Sequence, residues 1–166
     1  FEKIEQKTAH VVVVGIGYVG LPLVAELARA GFRVTGLDYD REKVRLLTAG
    51  ESYIRDVPTA DLAPHVKART LAATADPAIL AEADAVVVCV PTPLNKTKEP
   101  DMRFIVEATT EIAKHQHPGM LVVLESTTYP GTTRELLQPR LEEKGLVIGE
   151  TAFLAFSPER VDPGNP

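Results

Sequence analysis

The stretch HVVVVGIGYVGLPL, residues 10–23, runs four valines into three glycines and then into a helical pattern. A strand of this kind, handing over to a helix through Gly15-Ile16-Gly17-Tyr18-Val19-Gly20, fits G-x-G-x-x-G. Gly15 allows the tight turn out of the strand. Gly17, lacking a Cβ, lets a pyrophosphate approach the main chain, and Gly20 lets helix and strand pack closely. The free N–H groups and positive end of the helix then face the phosphates. Pro22 sits near the first turn, where a missing N–H costs least. Glycines in such a place are also plain turn formers, so the neighbouring elements decide between the two readings.

Working outward, apolar runs of strand length recur at His10–Val14, Arg33–Leu37, Asp84–Val90, Met120–Leu124 and Ala152–Phe156, with a weaker one at Thr70–Thr74. Helix-period segments lie between them: Leu21, Val24, Ala25 and Ala28 share one face, as do Val44 and Leu47, and Ile105, Ala108, Thr109 and Ile112. Asp101 is placed to cap the last of these helices. Continuous apolar strands are typically buried on both faces, as in parallel sheets. Alternation of strand and helix then predicts right-handed βαβ units and a doubly wound, mainly parallel Rossmann-type α/β sheet with helices on both faces. The segment Glu51–Lys67, with Pro58 and Pro64, breaks the rhythm and reads as an insert of short helices and loop. The second strand ends in Asp38, where an acid accepts hydrogen bonds from an adenosine ribose. This carboxylate repels a 2′-phosphate, which favours NAD over NADP. Lys43 is placed to reach the same ribose, or else is a solvated helix lysine.

Bulk properties exclude several classes. With 166 residues, 45% apolar and 25% charged, the chain has the size of one globular domain. A formal charge of −5 without a Lys/Arg cluster argues against a nucleic-acid-binding face. The apolar runs are far shorter than the ~20 residues of a membrane span, and the first ten residues lack the apolar core of a signal peptide. The single cysteine, Cys89, cannot form an internal disulfide, which fits a reducing cytoplasm. The chain opens on Phe1 and stops at Pro166, the pattern of a fragment.

Ligands of doubly wound sheets bind outside the carboxyl ends of the strands, so the other strand ends matter. CVPTPL (89–94) places Val90 and Thr92 against a cofactor, or forms only a rigid loop, since Pro91 and Pro93 cannot continue a central strand. LESTTYPGTTREL (124–136) offers Ser126, Thr127 and Thr128 to a nicotinamide or a water, or uses them as turn formers. Thr132 or Thr133 is the expected N-cap of the next helix. FLAFSPERVDPGNP (153–166) ends the last strand with Ser157-Pro158-Glu159-Arg160, in which Glu159 and Arg160 are base and anion holder or a surface ion pair. Cys89 reads as a small hydrophobe more readily than as a nucleophile. His115 and His117 suit a helix C-terminus better than a metal site, and no metal is expected.

Taken together, GIGYVGLPL (15–23), CVPTPL (89–94), ESTTYPGTT (125–133) and FSPERVDPGN (156–165) resemble the UDP-glucose/GDP-mannose dehydrogenase family, the nucleotide-sugar 6-dehydrogenases. The resemblance covers residues 10–166 as the NAD-binding domain, with residues 1–9 as an N-terminal extension. Within the family, SPERVDPGN is most similar to enzymes acting on UDP-N-acetylglucosamine or UDP-N-acetylmannosamine. It implies a double oxidation: the sugar's C6 alcohol passes hydrides to two NAD, through a cysteine-bound thioester hydrolysed to the carboxylate. By matching motifs, it implies that Gly15, Ile16, Gly17, Tyr18, Val19 and Gly20 hold the pyrophosphate and Asp38 with Lys43 the ribose. Val90, Thr92 and Thr127 line the cofactor site. Thr127 also helps position water, and Glu159 is the carboxylate for acid–base work around hydrolysis.

The resemblance departs from the family in two ways. The second carboxylate of UDP-glucose relatives has no counterpart, since Pro163 stands in its place and Asp162 is out of register. The family's nucleophilic cysteine and its lysine, asparagine and aspartate helpers lie beyond Pro166, and Cys89 does not match that cysteine. The sugar-binding, catalytic-cysteine domain is thus absent, and the chain alone is expected to bind NAD without oxidising a UDP-sugar. A homo-oligomeric parent and a monomeric fragment are expected on the same grounds. Two other readings stand beside it: a freestanding NAD-binding or sensing module, and a hydroxy-acid or acyl-CoA dehydrogenase of similar fold.

Overall fold

The computed structural model describes residues 2–94 and 100–158. A short helix α1 (Glu2–Glu5) precedes β1 (His10–Val14), α2 (Gly20–Arg29), β2 (Arg33–Leu37), α3 (Arg41–Thr48), α4 (Thr59–Lys67) and β3 (Leu71–Thr74). A 3-10 turn (Pro77–Glu82), β4 (Ala85–Val88), α5 (Arg103–His115) and β5 (Leu121–Leu124) follow. A π-helical turn (Thr133–Leu137) then leads into α6 (Gln138–Glu142) and β6 (Phe153–Phe156).

The six strands form one sheet in the order β3-β2-β1-β4-β5-β6, every neighbouring pair parallel. The chain winds outward from β1 in one direction, returns, and winds outward in the other. This doubly wound sheet opens a crevice between β1 and β4, beyond their carboxyl ends. The expected strands are all present: β1 and β2 have the expected bounds, β3, β5 and β6 each start one residue later, and Asp84–Val90 narrows to Ala85–Val88.

Alternation along β1 explains the burial of all five of its residues. Val12 and Val14 pack with Ile105, Ile112 and Leu141 on the α5/α6 face. Val13 packs with Leu21, Val24, Leu47 and Leu62 on the α2/α3/α4 face. The predicted stripe Leu21, Val24, Ala25 and Ala28 is buried, and so is Ile105, Ala108, Thr109 and Ile112. Each fully buried Leu or Ile contributes about 1.5–3 kcal/mol. β6 differs from the other strands. It is outermost, and Phe153 and Phe156 are 39% and 49% exposed.

Two capping expectations are corrected. The residue before α5 is Met102 in helical conformation, which leaves Asp101 one place early. Asp101 nevertheless accepts the Arg103 N–H at 3.1 Å and pairs with its guanidinium. Thr132 occupies the cap position before the π-helical turn without capping it. Its hydroxyl donates to the Tyr129 carbonyl at 2.8 Å and meets Thr128 Oγ1 at 2.6 Å, so it closes the preceding loop. The insert Glu51–Lys67 resolves into a loop followed by one helix, α4, with Pro64 inside it.

Candidate dinucleotide-binding site

The sheet ladder carries past the strands and sets the site's first residues side by side. Gly15 N–H donates to the Leu37 carbonyl at 2.8 Å, Cys89 N–H to Val14 at 2.8 Å, and Asp38 N–H to Thr74 at 3.2 Å. Gly15 then turns with φ +90°, a region other residues rarely adopt. A Cβ there would also stand 2.7 Å from the Cys89 carbonyl oxygen.

The remaining glycines divide by what surrounds them. At Gly20 a Cβ would lie 1.8 Å from the Gly15 carbonyl oxygen, so this position must be bare for the turn to close on the helix. At Gly17 a Cβ would meet nothing within 4 Å, because the residue faces open space in the cleft. No side chain caps α2, whose N-cap is Val19. Leu21 N–H is taken by the Gly17 carbonyl at 3.0 Å and Pro22 has no N–H, so an anion is left to the loop amides just before the helix, with the helix dipole behind them.

Between the two kinds of glycine, Ile16 turns inward and is fully buried. It occupies space beside Gly36 in β2, where a Cβ would approach Ile16 Cγ2 to 2.8 Å. The Asp38 carboxylate binds this loop from below: Oδ2 accepts the Ile16 N–H at 3.0 Å and Lys43 Nζ at 3.2 Å, while Oδ1 accepts the Asp40 N–H at 2.9 Å. A carboxylate has about four acceptor positions, so Oδ1 retains capacity for a ribose hydroxyl. Asp40 caps α3 and fixes the helix that carries Lys43.

Two adjoining cavities share Gly15, Asp38, Lys43, Val90 and Pro91 and so form one continuous cleft. One side is an apolar slot with Leu37, Leu80, Phe104 and Ala108 as walls, and Tyr39, Glu107 and Glu111 also line it. Burial, then the Glu111 and Glu107 charges, push the Tyr39 phenol above its ordinary value. The other side runs over Gly17, Tyr18 and Val19 to Cys89, Thr92, Glu125, Ser126 and Thr127. An apolar slot for a base, an open glycine loop for phosphates and a polar far end match the three parts of a dinucleotide.

Of the predicted residues, Gly15, Gly17, Tyr18, Val19, Asp38, Lys43, Val90, Thr92 and Thr127 all line this cleft. Ile16 and Gly20 shape it from behind. Glu159 lies outside the described residues. The three hydroxyls after β5 separate: Ser126 is buried and donates to the Val88 carbonyl at 3.2 Å, and Thr128 meets Thr132, whereas Thr127 is exposed at the cleft. The Cys89 thiol donates to Glu125 Oε2 at 3.3 Å, and the residue belongs to the apolar cluster of the α2 face. Among the described residues, no group of three or more His, Cys, Asp and Glu is placed to hold a metal, and no helix is long and apolar enough to cross a membrane.

Sequence reading missed Tyr39, Phe104, Glu107, Glu111 and Glu125 as lining residues. It also missed Tyr53, whose hydroxyl donates to the Ile16 carbonyl at 2.7 Å. The only available signal was position: Tyr39 and Glu125 adjoin residues already singled out at strand ends.

Fold and cleft together define a nicotinamide-dinucleotide-binding Rossmann domain. A family model described as "UDP-glucose/GDP-mannose dehydrogenase family, NAD binding domain" matches residues 9–166, and the chain belongs to this family. UDP-N-acetyl-D-glucosamine 6-dehydrogenase of Pseudomonas aeruginosa is 38% identical over 160 residues, 96% of this chain and 37% of that protein. UDP-N-acetyl-D-mannosamine dehydrogenase of Escherichia coli K12 is 36% identical over 167 residues, 94% of this chain and 38% of that one. The crystal structure of NDP-N-acetyl-D-galactosaminuronic acid dehydrogenase from Methanosarcina mazei Go1 superposes with a TM-score of 0.88 at 34% identity, over 97% of this chain and 37% of that one. The chain thus spans somewhat over a third of the length of these relatives. Membership in the family sets aside the hydroxy-acid and acyl-CoA alternatives.

Proposed function

We propose that this chain holds NAD for an enzyme that oxidises the C6 alcohol of a UDP-N-acetylhexosamine to a carboxylate. The observation that carries the reading is the single cleft in which Gly17 faces open space, Asp38 follows β2 and holds the glycine loop through the Ile16 N–H, and Thr127 lies at the far end. Relatives that act on UDP-N-acetylglucosamine and UDP-N-acetylmannosamine support the substrate class. The cofactor, when bound, supplies the acceptor for the hydride leaving the sugar.

The chain's own residues bind and orient. Leu37, Leu80 and Phe104 enclose the adenine, whose burial from water stabilises the complex. Asp38 accepts from a ribose hydroxyl, with Lys43 beside it to place the second. Main-chain N–H groups from Gly17 to Gly20 meet the pyrophosphate charge where α2 begins. Val90 and Thr92 limit the position of the nicotinamide from the β4 side. Thr127, at the end of β5, holds a water or the nicotinamide edge, and Glu159 provides the carboxylate for proton transfer around hydrolysis.

Calorimetry tests the reading. The chain is expected to bind NADH more tightly than NADPH, because a 2′-phosphate would meet the Asp38 carboxylate. Asp38→Asn should weaken NADH about tenfold and narrow the gap to NADPH, since a hydrogen bond to a charged group contributes about 1.5 kcal/mol or more. With UDP-N-acetylglucosamine or UDP-N-acetylmannosamine and NAD, the chain alone should produce no NADH. Failure to bind NADH would overturn the cofactor role, and turnover by the chain alone would overturn placing the nucleophile outside it.

A further inference from the structure

The insert that follows α3 lines neither side of the cleft, yet one of its side chains reaches the backbone of the glycine loop. Tyr53 lies in the loop Glu51–Pro58, is half-buried against the apolar cluster of the α2 face, and donates to the Ile16 carbonyl at 2.7 Å. The same residue's N–H is held by Asp38 at 3.0 Å, and its side chain is fully buried. Ile16 is therefore fixed at three points by three separate parts of the chain.

The consequence follows from peptide geometry. In a trans peptide the C=O and the following N–H point in opposite directions, and the unit is planar. No cis bond occurs among the described residues. Fixing the Ile16 carbonyl on Tyr53 therefore turns the Gly17 N–H the opposite way, toward the cleft that Gly17 lines and where a Cβ on it would meet nothing within 4 Å. The Gly17 carbonyl in turn accepts from Leu21 N–H at 3.0 Å, so the next peptide is held by α2.

We propose that Tyr53 is a positioning residue for dinucleotide binding: by tying down the Ile16 carbonyl it aims the Gly17 amide at the pyrophosphate. This gives the insert a part in holding the cofactor, and it rests on the NAD-binding role of the cleft. Burial, reinforced by the Asp38 and Asp40 charges, pushes the Tyr53 phenol above its ordinary value, so the hydroxyl remains a donor throughout the neutral range.

The test separates phosphate from base. Tyr53→Phe keeps the ring and its packing and removes only the hydroxyl. Calorimetry with NADH and ADP, and NMR titration with adenosine, should show NADH and ADP weakened about three- to tenfold while adenosine changes by less than about twofold, as for loss of one aimed hydrogen bond. A purely structural role would lower the melting temperature and leave the ADP-to-adenosine ratio unchanged, which would overturn the proposal. In the unmodified chain, the Gly17 amide resonance should shift on adding ADP and not on adding adenosine; equal response to both would overturn it as well. An unmodified chain that binds no NADH removes the cofactor role itself, whereas NADH binding with an unselective Tyr53→Phe removes only the role of Tyr53.

Discussion

The two ends of β1 carry polar groups of opposite fate. At the amino end, His10 is buried in a closed network. Its Nδ1 donates to the Glu82 carbonyl at 3.2 Å, its Nε2 accepts from the Thr35 hydroxyl at 2.9 Å, and its backbone N–H donates to Asp84 at 2.9 Å. Lys3 of α1 pairs with Asp84 over the same end. At the carboxyl end, four residues on, the glycine loop opens onto the cleft at Gly17 and no side chain caps α2. Buried polar groups must be satisfied by the protein or by a ligand. The contrast therefore separates a polar end that serves stability from one that serves binding.

Three measurements bear on this contrast. The largest effect should come from Gly20→Ala, because the added methyl would lie 1.8 Å from the Gly15 carbonyl oxygen. Overpacking against backbone that cannot yield should cost about 3 kcal/mol or more, read as a lower urea midpoint together with lost NADH binding. Gly17→Ala comes next and should separate the two properties. With nothing within 4 Å of the new methyl, stability should stay within about 0.5 kcal/mol of the original. NADH affinity should fall about thirtyfold, or ~2 kcal/mol, as the methyl keeps the pyrophosphate from the amides. If Gly17→Ala unfolds the chain, the division between the two glycines fails.

The smallest effect belongs to the amino end. Burial first, then the Arg33 charge, hold the His10 pKa below the ordinary 6.5. A histidine of this kind favours folding while neutral. Its contribution is complete above the unfolded value and is lost as pH falls through 6.5 toward the lowered folded value. The melting temperature should therefore drop more steeply below pH 6.5 in the unmodified chain than in His10→Gln. NADH affinity, measured where both proteins are folded, should show no His10-dependent change. A parallel loss of affinity would mean that the two ends are coupled.

Much of this was legible in sequence because it depends on neighbours in the chain. The valine run, the helical stripe after Gly20 and the acid ending β2 are local patterns, and each fell where its period placed it. The Tyr53–Ile16 contact is different, since 37 residues separate its partners and nothing in the insert's composition signals it. The apolar slot also escaped notice, because its walls come from β2, the 3-10 turn, the loop after β4 and α5. Ser126 and Thr127 both line the cleft, and only burial in the folded chain separates the exposed Thr127 from the buried Ser126. Asp101 was recognised as a helix-start residue but misplaced by one position, since Met102 already has helical dihedrals.

Gly36 lies inside β2, and its missing side chain is the room into which Ile16 fits. Positions 16 and 36 accordingly share one fixed allotment of volume. A natural variant that enlarges the second-strand residue has to trim its partner in the glycine loop, so drift at either site is constrained by a residue about twenty positions away.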